Sequence, residues 1–182
     1  MALCAALLPL VACQTTGKAA LPDNELASAQ LGSMHNVFVY DSLWFGGAPS
    51  VEDLDLAQRR GIVRVIDMCT PEESPELDLR RECQRLNLRW HDLGLRSDGE
   101  VPESAVDLVL ALLADPAQPE TLMFCGDGSR CAMLFAIHRV VNGGIWLDDA
   151  LLEARRAGMR SGVAEEFVRR QVERLCTAES AE

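Results

Sequence analysis

Nowhere in the sequence do lysines and arginines gather. The chain carries 17 basic residues against 28 acidic ones over 182 positions, a net charge of −11, and a surface without a basic stripe has nothing with which to track a nucleic acid or an anionic bilayer. Any phosphate must therefore be captured locally, by a few groups in one place. Also missing is an apolar run of the roughly twenty residues that span a bilayer as a helix; the greasiest stretch, "MALCAALLPLVAC" at 1–13, is too short. There is no internal repeat, which removes solenoids and propellers. His91 and His138 stand far from any metal-ligand spacing, so no metal site is supported, and His138 reads as an ordinary helix histidine. Trp44, Trp90 and Trp146 fall one per segment, as core residues rather than a stacking platform.

What is present suits one core with a short appendage: 48% of residues are hydrophobic and 25% charged, as in an ordinary globular domain. Residues 14–35, beginning "QTTGKAALPDNELASAQLGSM", are small and polar with one proline, and read as a flexible tether. The domain is expected over 36–182. There the apolar period alternates. "NVFVYDSLWFGG" predicts two short strands about Asp41-Ser42. "SVEDLDLAQRRG" predicts a helix capped by Ser50, with Glu52 and Asp53 in its first turn and Gly61 at its end. "IVRVIDM", "LRWHDLGL" and "ETLMFC" read as strands, and "PELDLRRECQRLN" and "PESAVDLVLALLAD" as the helices between them. Three more helices follow from about Arg130. This order predicts a single α/β domain, a mainly parallel central sheet with helices on both faces, and ligands at the carboxyl ends of the strands.

At that edge lies "FCGDGSRCA", residues 124–132. A strand ending at Cys125, a glycine turn and a helix start bring successive backbone N–H groups and a helix N-terminus to one point, a cradle for a tetrahedral anion. A cysteine at its base, beside Arg130, is expected to have a lowered pKa and act as a nucleophile. Gly126, Asp127, Gly128, Ser129 and Arg130 would form the phosphate-binding loop.

These residues, with "LDDALLEARRAGM" after them and "LWFGGAPSVEDLDLAQRRGIVRVIDM" before, resemble the cysteine-based protein phosphatases, in particular the dual-specificity-like bacterial ones, over residues 36 to about 176. The resemblance implies attack on phosphorus by Cys125, a bidentate grip on the oxyanion by Arg130, and protonation of the leaving alcohol by an aspartate, Asp98 in "RSDGEVP" or, second, Asp92. It implies a phosphorylated protein or small phosphoester as substrate and no cofactor. The chain departs from the pattern. Only four residues, "GDGS", separate Cys125 from Arg130 instead of five; Phe124 stands where a histidine is usual, Cys131 where a serine or threonine is usual, and Asp127 puts a carboxylate in the anion loop. Cys-x-x-Gly-x-Arg also matches the loop of rhodanese-like sulfurtransferases and that of a phosphatase-like group found beside metallo-β-lactamase-fold hydrolases. The alternatives are thus a pseudophosphatase that binds an anion or partner, and a sulfur carrier.

Leu10-Val11-Ala12-Cys13 followed by a polar segment resembles a bacterial lipoprotein signal, which implies cleavage before Cys13 and a lipid on its thiol. Gln14, where an aspartate would favour the inner membrane, makes the outer membrane of the cell envelope the expected place. Beyond Cys4 and Cys13 remain Cys69, Cys83, Cys125, Cys131 and Cys176, an odd number. Cys69 ends a strand expected beside that of Cys125, so a reversible bond between those two is a further expectation.

Overall fold

The structure, a computed structural model, describes residues 25–73, 79–93, 95 and 100–179. Among them, six strands form one sheet in the order β1-β2-β3-β6-β4-β5. β1 (Ala27–Ser28), β2 (Phe38–Tyr40) and β3 (Leu43–Gly46) pair antiparallel. β3, β6 (Thr121–Phe124), β4 (Arg64–Asp67) and β5 (Arg89–Asp92) run parallel. The hairpin between β2 and β3 turns on Asp41-Ser42 as expected, with Asp41 at φ 54°, a left-handed conformation that short polar side chains tolerate and tight hairpins require.

Strand alternation divides the core in two. Met123 and Cys125 face one way, into a cluster with Phe45 and Ile66 that is covered by α3 (Glu103–Leu113), α4 (Ser129–Val141), α5 (Leu147–Arg156) and α6 (Gly162–Glu179). Leu122 and Phe124 face the other, with Val65, beneath α1 (Val51–Arg59) and α2 (Leu79–Arg85). Helices on both faces are what a mainly parallel sheet demands. α4 is the central helix: Ala132, Leu134, Phe135, Ala136 and Ile137 are all fully buried, and Phe135 stacks on Phe45 at 4.9 Å between ring centres. α1 starts in a capping box, in which Ser50 Oγ accepts from the Asp53 N–H at 3.2 Å and Asp53 accepts from the Ser50 N–H at 2.9 Å.

The tether does not extend to residue 35. Leu31 is fully buried and Met34 is 8% exposed, both in the cluster under α1, and β1 lies within 25–35. The polar composition hid two isolated apolar anchors whose burial depends on α1, too few to show a period. Residues 1–24, including Cys13, lie outside the described residues. The joint with α1 is polar: Ser33 donates to Asp53 through its N–H (2.7 Å) and its hydroxyl (2.9 Å). Gly32 makes this possible, at φ 57° and with space for no Cβ, which would fall 1.8 Å from Asp53 Oδ1. Gly32→Ala is expected to cost about 2 kcal/mol, combining left-handed strain with disruption of the joint; a denaturant midpoint unchanged from wild type would refute that reading of the joint.

Trp146 also departs from expectation. It precedes α5 and is 43% exposed, not a core residue.

Candidate active site

Register puts the carboxyl ends of three parallel strands side by side: Phe124 is opposite Gly46 on β3 and Asp67 on β4. The residues that follow emerge together. The Cys125 N–H donates to Gly46 O and the Met68 N–H to Phe124 O, which continues the ladder to the base of the loop. The chain then turns through Gly128, at φ 89°, into α4. A Cβ at Gly128 would sit 3.1 Å from the Gly46 carbonyl carbon, a backbone atom that cannot swing away, so both φ and contact call for glycine.

The loop folds around the Cys125 sulfur. The Gly128 N–H donates to Sγ at 3.1 Å. The thiol is brought down to about 6 from an ordinary 9.0, first by the hydrogen bond from the Cys131 thiol and then by the N–H groups of Cys131, Arg130 and Gly128, all acting against burial. The Cys131 Sγ also lies 3.7 Å from Gly46 O, to which it donates. Its own thiol is fully buried and pushed far up by that burial and by the Cys125 charge, so it stays a donor. The sign is plain: above about pH 6 Cys125 is a thiolate, below it a thiol. Titration of the ultraviolet thiolate absorbance, with Cys125→Ser as reference, should show one ionisation near 6; ionisation only near 9 would contradict the loop geometry.

Arg130, on the first turn of α4, spreads its guanidinium against the loop after β4. Nη1 donates to Glu73 Oε2 at 2.6 Å and to Met68 O at 3.1 Å, and Nη2 to Glu73 Oε1 at 2.9 Å. Glu73 is held in turn by the Thr70 N–H, which donates to Oε2 at 3.0 Å. Its carboxyl lies below the ordinary range, chiefly through Arg130. Gly126 leaves room for this pair, since a Cβ there would come 2.7 Å from Glu73 Oε1. Sequence reasoning missed Glu73. The available signal was the acidic "PEE" after β4, a strand that the same reasoning placed beside Cys125.

Asp127 is exposed at the loop's rim and turned onto the helix start, where Oδ1 accepts from the Ser129 N–H at 2.9 Å and hydroxyl at 2.6 Å. Those bonds, with Arg160 and Arg130 nearby, hold its carboxyl low despite partial burial. Oδ1 still lies 4.0 Å from Cys125 Sγ, so the loop carries a fixed negative charge beside that sulfur. Asn36 Nδ2 donates to Asp127 O at 3.0 Å and braces the loop from outside. Phe124, where a histidine was usual, points away from the loop and packs on Trp90.

The structure therefore brings Cys125, Gly126, Asp127, Gly128, Ser129 and Arg130 together. Asp98 lies outside the described residues. Asp92 closes β5, two strands away from β6, or about 10 Å at ordinary strand spacing. None of the five cysteines described is in a disulfide. Cys69 sits close enough to Cys125 to feel its charge, and burial, Asp67 and that charge keep it protonated.

The sequence matches no protein-family profile and no curated protein. Solved structures do match. TpbA from P. aeruginosa is 25% identical, with a TM-score of 0.67 over 86% of this chain and 97% of that one. The core catalytic domain of the PP-IP phosphatase SIW14 from S. cerevisiae is 17% identical, with a TM-score of 0.63 over 82% and 96%. The fold is that of the cysteine-based protein phosphatases. The phosphatase-like fold keeps its cysteine at the end of the central strand here, and the short loop still closes around it. Relative to the usual pattern, this phosphatase-like chain exchanges one hydroxyl for the Cys131 thiol and adds the Asp127 carboxylate.

Proposed function

We propose that the protein hydrolyses phosphomonoesters, of a phosphorylated protein or a small molecule, through a phosphoryl group carried on Cys125. The observation that carries this reading is the ring of donors that holds the Cys125 sulfur as a thiolate near neutrality. In the first step the thiolate attacks phosphorus in line and a P–S bond forms. The P–O bond to the alcohol breaks, its electron pair leaves on oxygen, and Asp98 supplies the proton. Loop N–H groups and the part of Arg130 not engaged by Glu73 offset the charge on the equatorial oxygens. Water then attacks phosphorus as the Asp98 carboxylate takes its proton, and the P–S bond breaks to release phosphate and restore the thiolate. A Cys-to-Ser variant of TpbA was solved in complex with phosphotyrosine, which supports a phosphoester as the substrate class here.

We also place the chain at the bacterial cell envelope, held by lipid on Cys13, on the strength of Leu10-Val11-Ala12-Cys13 and Gln14. Metabolic labelling with a fatty acid that is lost in Cys13→Ala tests this anchor.

One observation favours a second reading. Asp127 beside the sulfur and Glu73 on Arg130 place two carboxylates at an anion site, which suits a protein that binds an anion or a partner without turnover. Aryl-phosphate hydrolysis by the reduced protein separates the two. Turnover in the wild type that vanishes in Cys125→Ser is expected; a wild type without turnover would leave the binding reading, and persulfide formation on Cys125 would move it to sulfur transfer.

A further inference from the structure

The mouth of the site carries a cation that the chemistry above does not use. α4 leaves the loop at Ser129, and α5 comes back beside it after the short connection 142–146. The two are pinned where Arg139 Nε on α4 donates to Glu153 Oε2 on α5 at 2.8 Å. Two turns back along α4 and two turns on from Glu153, the same pairing sets residue 160 level with Ala132, in the first turn after the loop. The connection between α5 and α6, residues 157–161, therefore lies beside the anion cradle. It is held from below: Ala157 and Met159 are buried, Gly158 takes φ 102°, and the Met159 N–H donates to Ala154 O at 2.9 Å. Ser161 Oγ accepts from the Ala164 N–H at 3.1 Å and starts α6. Arg160, at the tip, is exposed.

Arg160 adds no bond to the fold. Among the described residues it makes no side-chain hydrogen bond or ion pair. Its neighbours differ. Arg155, about one turn earlier, is bound to Glu165 through Nε at 2.6 Å and Nη2 at 2.7 Å, and Arg130 is bound to Glu73. Arg160 is still close enough to Asp127 to help hold that carboxyl low. The Asp127 carboxylate itself is bonded elsewhere, to the N–H and hydroxyl of Ser129. The guanidinium donors of Arg160 are thus uncommitted, at the rim of a site whose other arginine is already paired.

Position decides what such a group meets. The phosphoryl group to be transferred belongs over the Cys125 sulfur, inside the ring of loop N–H groups and against Arg130. Arg160 stands on the neighbouring helix pair, and packed helices have axes about 8–10 Å apart, so it addresses another part of the same substrate. A planar guanidinium with no carboxylate bound to it is matched by a carboxylate or a phosphate. Charge points the same way. Glu73 offsets Arg130, and Asp127 would repel any further negative charge brought to this rim. A substrate with a second anionic group there needs a cation, and Arg160 supplies one.

We propose that Arg160 selects substrates carrying a second anionic group, a carboxylate or a further phosphate, beside the phosphoryl group that Cys125 takes. This rests on the reading of the loop as a phosphomonoester site, and binding to the full-length Cys125→Ser protein, measured by titration calorimetry, keeps the two claims apart. The probes are two pairs: a phosphotyrosine peptide flanked by aspartates against the same peptide flanked by asparagines, and fructose 1,6-bisphosphate against fructose 6-phosphate. The doubly anionic member of at least one pair should bind about fivefold tighter at low salt, the upper range for an exposed charge pair, and the preference should shrink as salt rises. A preference in the peptides alone identifies an acidic phosphopeptide, and one in the sugars alone a small bisphosphate. Adding Arg160→Gln should bring the ratio close to one. Arg169→Gln removes the same charge at the far end of α5, beside Asp148, and should leave the ratio as it was. The inference is overturned, and the phosphomonoester reading left standing, if the probes bind without preference, if Arg160→Gln keeps the preference, or if Arg169→Gln removes it equally. Failure of all four probes to bind Cys125→Ser would overturn both.

Discussion

Arg130→Ala is expected to lower kcat/KM for an aryl phosphate by about 10³-fold, the usual cost of removing a guanidinium that offsets charge at a transferring phosphoryl group. Arg130→Lys should recover little. Arg130 holds Glu73 through Nη1 and Nη2 at 2.6 and 2.9 Å; on the proposed mechanism the rest of its planar fork meets the phosphoryl group as well, and one ammonium cannot span both. Unchanged melting in the two variants would separate a chemical loss from a folding loss. An Arg130→Lys enzyme within about threefold of wild type would show that the bidentate geometry is not used.

Cys131→Ala should raise the Cys125 pKa from about 6 towards 9.0, because the Cys131 thiol is the largest influence lowering it. Each unit of rise removes about tenfold of the thiolate once pH lies below the new value, so activity at pH 6 to 7 should fall by about tenfold to a hundredfold and the acidic limb of the pH profile should move up. Cys131→Ser, which keeps a donor of similar size, should retain most activity and leave that limb near 6. Rescue by serine with loss by alanine distinguishes hydrogen bonding from packing. Equal profiles in all three proteins would remove Cys131 from the account.

The local parts of this site were legible because they are written within a dozen residues. Strand, Cys125, Gly128, Arg130 and helix follow in order, and the Ser50 cap and Asp41-Ser42 turn lie likewise within four residues of their partners. What escaped depends on contacts far apart in the chain. Glu73 meets Arg130 across 57 positions, and only the pairing of β4 with β6 brings them together. Leu31 and Met34 look like tether until α1 is laid over them. Cys131 looked like a poor substitute for a hydroxyl; burial keeps it protonated beside the Cys125 sulfur, where it lowers that thiol's pKa. Composition carries none of that.

The most direct test of the central claim is to quench the wild-type protein with acid during turnover of an aryl phosphate and map the phosphoryl group by mass spectrometry. The phosphoryl group is expected on Cys125, within "FCGDGSRCA", and nowhere else. A phosphoryl group on another residue, or turnover that leaves Cys125 unmodified throughout, would contradict it.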